Sequence, residues 1–140
     1  MARIAVTDGM AAAAISMLER GGHEVVLEHY EADALVSGVL ADFDAVVVRS
    51  ATKLTAEVIS ASGGGPDGLQ IIGRAGVGVD NIDLSAATVN GVLVCNTPGS
   101  STQSVVELTI GHLLASVRHI RAGTQSLGRG EWRKSELRGT

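Results

Sequence analysis

Through its first hundred or so residues the chain alternates short apolar runs with longer segments whose apolar positions recur at helical spacing. Strands are predicted at 4–6, 25–27, 45–48, 70–73 and 92–95, each aliphatic and bounded by polar or glycine-rich turns. Helices are predicted between them at 10–20, 32–40, 55–61 and 84–90. Repeated strand–helix–strand units of this kind line their strands up in parallel, so the expected class is α/β, an open parallel sheet with helices on both faces. Gly21-Gly22 and Asn90-Gly91 supply helix stops, and the run 62–68, rich in glycine, reads as a flexible surface loop.

After Thr97-Pro98-Gly99 the pattern changes to one long helix beginning near Ser101 or Thr102. Val106, Ile110, Leu113, Val117 and Ile120 recur at alternating spacings of four and three, which predicts a single apolar stripe running past residue 117. Such a helix needs something to pack on. The remainder from Gly123 is polar, contains the sole tryptophan, Trp132, and is expected to hold no closing element. The division is therefore drawn between 1–98 and 99–140.

Composition sharpens this picture in three places. Hydrophobic residues make up 45% of the chain and aromatics 2%, so the core must be built from Val, Ile, Leu and Ala, the usual stock of a parallel sheet, and the topology resembles flavodoxin-like folds. Net charge is −4 with the charges interspersed, which argues against nucleic acid or an anionic membrane surface as partner. The one cysteine, Cys95, excludes a disulfide framework and is expected to be a buried thiol in a reducing compartment. No run approaches the roughly 20 apolar residues of a membrane span, and the start of the chain reaches a polar turn too soon for a signal-peptide core, so the expected location is cytoplasmic.

The densest chemical signal lies in Ile71-Ile72-Gly73-Arg74-Ala75-Gly76-Val77-Gly78-Val79-Asp80-Asn81-Ile82-Asp83, where an apolar strand runs into a glycine-spaced turn beside an arginine. Gly76 and Gly78 are expected to adopt dihedrals closed to other residues, so that successive N–H groups around Val77 face one concavity, with Arg74 adding positive charge. A carboxylate or phosphate suits such a turn. Arg49-Ser50 follows the strand at 45–48 in the same way, and ligands of open α/β sheets bind at the carboxyl ends of strands. Two arginines are thus expected to flank one crevice. A dinucleotide fingerprint is not formed, because Asn81 stands where the third glycine of G-x-G-x-x-G belongs.

Other candidates are weaker. Asp8 ends the first strand as a phospho-acceptor would, but a receiver needs an aspartate where Arg49 stands. His112 and Glu107 are too oblique on a helix to share a metal, and no metal site is expected; His23, His29 and His119 read as surface residues. Ser101, Ser104 and Glu107 suggest helix capping rather than a nucleophile, since no histidine lies within plausible reach.

Taken together, Val46-Val47-Val48-Arg49-Ser50-Ala51-Thr52, the 71–83 segment, Val94-Cys95-Asn96-Thr97-Pro98, Ser104-Val105-Val106-Glu107 and Gly130-Glu131-Trp132 resemble the D-isomer-specific 2-hydroxyacid dehydrogenases, most closely their phosphoglycerate dehydrogenase branch. The resemblance implies a substrate-binding domain over 1–98, then the first long helix and arm of a Rossmann nucleotide-binding domain over 99–140. It implies substrate contacts from Arg49, Ser50, Arg74, Gly76, Val77, Gly78 and Ser101, with Val77 also near the nicotinamide of NAD. Ser101 departs from the family, whose members often carry Asn there. The family's acid/base histidine, its glutamate, its catalytic arginine and its NAD fingerprint correspond to sequence after residue 140, so the 140-residue chain alone is expected to be inactive.

The implied reaction is reversible hydride transfer between NAD and C2 of 3-phosphoglycerate, an entry to serine biosynthesis, in a homodimer or higher oligomer assembled through the 101–121 helix and the following arm, with Trp132 as anchor. A dehydrogenase for another small anionic 2-hydroxy or 2-oxo acid, of glycerate or glyoxylate type, is the nearest alternative. A non-enzymatic anion-binding or dimerisation module is the more distant one.

Overall fold

The computed structural model describes residues 1–64 and 68–139, and these form two compact units, Met1–Pro98 and Gly99–Thr140. Unit one contains five strands, β1 (Arg3–Val6), β2 (Glu24–Leu27), β3 (Ala45–Val48), β4 (Ile71–Arg74) and β5 (Leu93–Asn96), all parallel and ordered β2-β1-β3-β4-β5. This is the flavodoxin-like order, with the chain reversing its direction of growth between β1 and β3. Each predicted strand is present with its ends displaced by one residue at most.

Helices α1 (Ala12–Arg20), α2 (Ala32–Val36), α3 (Ala56–Ala61) and α4 (Leu84–Val89) connect the strands. Thr55 and Asp83 cap α3 and α4 by accepting from the amides of Val58 and Ala86. The predicted helix 32–40 is instead two pieces, α2 and a 3₁₀ turn at Val39–Asp42, separated by Gly38 in the left-handed region at φ 87°. A Cβ on Gly38 would lie 2.8 Å from the Ala61 carbonyl oxygen, so the break also lets α2 approach the end of α3.

The core is aliphatic apart from Phe43. Ala5, Val46, Val48 and Ile72 point from the strands onto Leu35, Leu40, Leu54, Val58, Ile59 and Ala87. The 62–68 loop does not begin as surface: Ser62 is fully buried and donates to the Val58 carbonyl, while the rest of that expectation at 65–67 falls outside the described residues.

Cys95 is exposed, not buried. It stands opposite Gly73 in the β4–β5 ladder, on the face that Ile71 and Leu93 share, while the alternate residue Ile72 faces the core. An unbroken apolar run at 92–95 concealed that two-residue alternation.

The second unit contains α5 (Thr102–Val117) and α6 (Ile120–Gly128). The predicted continuous helix therefore breaks after Val117, where His119 adopts φ 51°, and Ile120 begins the next helix. The stretch after 123 accordingly contains helical structure that its polarity did not suggest. Ser101 occupies the N-cap of α5 without a side-chain bond, so the expected capping by this serine is absent. Apolar residues on α5 are not confined to one stripe. Val105, Leu108 and Leu114 are exposed at angles away from Val106, Ile110 and Leu113, which are also exposed. No described helix is long and apolar enough to cross a membrane.

Candidate functional site

Parallel pairing brings the two arginines to neighbouring strand ends. Val48 stands opposite Arg74 in the β3–β4 ladder, the Ala75 amide donates to the Val48 carbonyl at 2.9 Å, and Arg49 is the next residue along. Ser50 follows it at the same edge, exposed like Arg49.

The expected reason for glycine at 76 and 78 does not hold. Neither residue has a positive φ. A Cβ on Gly76 would instead coincide with the Arg74 guanidinium, and one on Gly78 would lie 2.9 Å from Asp80 Oδ1. The glycines thus provide room, and the arginine folds back over its own turn. Arg74 Nε is buried without a hydrogen-bond partner among the described residues, an arrangement native proteins rarely leave unused. The Gly76 amide is already committed to the Arg74 carbonyl at 2.8 Å. Those of Val77 and Gly78 have no partner among the described residues.

Neighbouring side chains hold the turn. Asn96 Nδ2 donates to the Val77 carbonyl at 2.7 Å, and the Thr97 amide donates to the Gly76 carbonyl at 3.0 Å. On the other side Leu54 bridges to Ile82, with Leu54 N–H to Asn81 O at 2.8 Å and Asp83 N–H to Leu54 O at 2.9 Å. An open depression of about 480 Å3 lies here, lined by Ser50, Lys53, Leu54, Asp80, Asn81 and Asp83 among others. Its charges are mixed and the arginines lie outside its lining. Ser101 belongs to the second unit, exposed at the start of α5.

Two residues that sequence reasoning had set aside organise the site. Asp8 accepts from the Arg49 amide at 2.7 Å, from the Thr52 amide at 3.1 Å and from the Thr52 hydroxyl at 2.6 Å. It is a backbone staple; its carboxylate is fully engaged in holding a loop, which accounts for its place at the end of β1 without any phospho-acceptor role. Asn81 Nδ2 donates to the carbonyls of both Arg49, at 2.9 Å, and Thr52, at 2.7 Å. The residue that breaks the dinucleotide fingerprint is thus a tie between two loops. A short polar residue just past an apolar strand was the available signal for Asp8; Asn81, well beyond the end of β4, offered none, and the partners of both lie 29 to 44 positions away along the chain.

Burial alone would raise the Asp8 carboxyl, but the Thr52 hydroxyl, the Thr52 and Arg49 amides and the nearby His29 ring outweigh it and hold it below its ordinary value of 3.8. His29 Nδ1 lies 3.9 Å from Asp8 Oδ1, and its ring is also within hydrogen-bond distance of the Thr7 carbonyl, at 3.2 Å. A carboxylate with a depressed folded-state pKa stabilises above its unfolded value and loses that contribution as pH falls through the folded one. Acid denaturation followed from about pH 5 to pH 2 should therefore show a loss of stability below 3.8 that shrinks in Asp8→Asn. Identical acid transitions in the two proteins would contradict it.

With the geometry in place, comparison with known proteins is informative. The family described as D-isomer specific 2-hydroxyacid dehydrogenase, catalytic domain, matches residues 4–132. The chain belongs to this family. It is 45% identical over 139 residues to D-3-phosphoglycerate dehydrogenase of Methanocaldococcus jannaschii, covering 99% of the chain and 26% of that protein. Over 116 residues it is 48% identical to hydroxypyruvate reductase of Thermotoga maritima, covering 83% of the chain and 36% of that protein. Among solved structures, NAD+-bound 3-phosphoglycerate dehydrogenase of Entamoeba histolytica superposes with a TM-score of 0.68 at 36% identity, covering 84% of the chain and 39% of that structure. The chain thus spans roughly a quarter to two-fifths of these dehydrogenases.

Proposed function

We propose that the chain is the amino-terminal portion of an NAD-dependent D-3-phosphoglycerate dehydrogenase, contributing the part that holds an anionic 2-hydroxy or 2-oxo acid. The observation that carries this reading is a match over nearly the whole chain to about a quarter of a phosphoglycerate dehydrogenase at 45% identity, joined to a turn with uncommitted amides that follows a strand ending in arginine. The amides of Val77 and Gly78 with Arg74 would receive the substrate carboxylate. Arg49, with Ser50, would hold a second anionic group. Residues 1–98 act as substrate domain in this account, and 99–140 as the first helix and arm of the nucleotide domain.

The residues present fit the nicotinamide end of NAD and not its pyrophosphate. Val77 is exposed at the turn while Asn96 fixes its carbonyl, and Asn81 replaces the glycine that a phosphate-binding turn requires. NAD, when bound, would accept the hydride leaving C2 as the hydroxy acid becomes the 2-oxo acid. What this chain supplies is orientation: two arginines and a rigid turn that present C2 of the substrate at Val77. The exposed apolar surface of α5 and Trp132, 77% exposed, would be covered in a homodimer of the complete enzyme.

The Thermotoga relative favours a second reading, a reductase for hydroxypyruvate or a similar unphosphorylated acid. Reduction of 3-phosphohydroxypyruvate, hydroxypyruvate and glyoxylate by the full-length protein separates the two. At least tenfold higher kcat/KM for the phosphorylated acid, about 1.4 kcal/mol of discrimination, is expected. Preference for hydroxypyruvate would transfer the assignment to the second reading, and no turnover of any of them would defeat both.

A further inference from the structure

Arg49 is held in an unusual manner. Its amide and that of Thr52 both donate to Asp8, at 2.7 and 3.1 Å, while its carbonyl and that of Thr52 both accept from the Asn81 side chain, at 2.9 and 2.7 Å. The same two residues of the loop are therefore gripped from opposite sides, by an acceptor at the end of β1 and a donor from the segment after β4. Asp8 forms no ion pair with the Arg49 guanidinium among the described residues; its carboxylate faces two amides, a hydroxyl and the nearby His29 ring. The arginine's charge is left uncancelled.

We propose that Asp8 and Asn81 are positioning residues for Arg49, fixing the backbone of the 49–52 loop so that its guanidinium meets the anionic substrate in one orientation. This rests on the dehydrogenase reading above and deepens it: neither residue touches substrate, and both act through Arg49.

The hydrogen-bond directions make the proposal specific. Thr52 Oγ1 donates to Asp8 Oδ1 at 2.6 Å and so must accept from Thr7 Oγ1 at 2.8 Å. In Asp8→Asn the amide NH2 can donate to Thr52 Oγ1, which then donates to Thr7, while the amide oxygen keeps both backbone N–H groups. The chain of hydroxyls reverses and the loop stays in place. Asp8→Ala offers no such repair and leaves both amides without their acceptor. Asn81 is constrained in the opposite sense. Its Oδ1 is buried without a hydrogen-bond partner among the described residues, and rotating the amide would set that oxygen against two carbonyls. Asn81→Asp, nearly the same shape, places a carboxylate oxygen there and should be worse than Asn81→Ala.

The test uses the full-length protein with a 2-oxo acid substrate, together with hydrogen exchange at the Arg49 and Thr52 amides. Asp8→Ala should speed exchange at both amides and raise KM roughly tenfold, with kcat changed by less than about threefold. Asp8→Asn should stay within about threefold of wild type, and Asn81→Asp should exceed Asn81→Ala in both exchange and KM. Adding Asp8→Ala to Arg49→Ala should alter KM by no more than about twofold, because the residue through which Asp8 acts is already gone. Full multiplication of the two effects, or an Asp8→Asn protein as impaired as Asp8→Ala, would overturn the proposal. Should Asp8→Ala fail to fold, Asn81→Ala in the same cycle with Arg49→Ala decides it. Wild-type protein inert toward every 2-oxo acid would defeat the dehydrogenase reading, whereas unaccelerated exchange at Arg49 and Thr52 in Asp8→Ala would overturn the clamp whatever the substrate.

Discussion

Alanine at Arg49 is expected to lower kcat/KM of the full-length dehydrogenase toward its anionic acid by roughly 10- to 150-fold, and alanine at Arg74 by a similar factor. The figure follows from charge-assisted hydrogen bonds worth about 1.5–3 kcal/mol each, at tenfold per 1.4 kcal/mol. The two arginines stand at the ends of adjacent parallel strands, and the double variant should fall further than either single one. Arg74 carries the additional expectation that its loss is not repaired by Lys. The tip of its guanidinium takes the space that a Cβ on Gly76 would fill, and a compact ammonium lacks the planar fork that reaches it. Steady-state kinetics on the two single variants, the double variant and Arg74→Lys test this directly. Unchanged kinetics in the double variant would remove the anion site from this face.

The second large effect is expected in the layer beneath. Leu54 is fully buried, and its backbone bridges Ile82 and bonds Asn81 and Asp83, so one residue joins the core to the segment carrying the turn. Leu54→Ala should cost about 2–5 kcal/mol through lost burial and the cavity it leaves. Native-state hydrogen exchange of the β3 and β4 amides reads this as a matching fall in opening free energy, and does so whatever else the full-length chain contains. Leu54→Met, which nearly conserves volume, should cost less than about 1.5 kcal/mol. KM should rise in Leu54→Ala as well, because Asn81 loses its seat. Equal protection in the alanine and wild-type proteins would show that this residue does not anchor the site.

Much of the scaffold was legible because its signals are local. Five short aliphatic runs, each followed by a helical pattern, are enough to specify parallel strands, and Gly21-Gly22 and Asn90-Gly91 stop helices through backbone preferences of their own. Arg49 and Arg74 could be placed at strand ends for the same reason. Family membership was readable from motifs in order along nearly the whole chain, and the family match over 4–132 bears it out.

What stayed hidden depended on partners distant in sequence. Cys95 sits in a run that looks wholly buried, and its exposure followed from which side of the β4–β5 ladder it occupies. The break after Val117 turns on a left-handed His119, a conformation that an apolar repeat does not encode. Gly76 does not adopt the dihedrals its spacing suggested: the room it makes is for the side chain of Arg74, visible only once that side chain folds back.

The sequence by itself therefore determined the class of fold, the placement of Arg49 and Arg74 at strand ends and the family, since these rest on periodicity, turn chemistry and motif order. Tertiary structure alone decided that Asp8 and Asn81 grip the Arg49 loop from two sides, because strand order brings the end of β1 beside the end of β3 and no local pattern records which strands become neighbours.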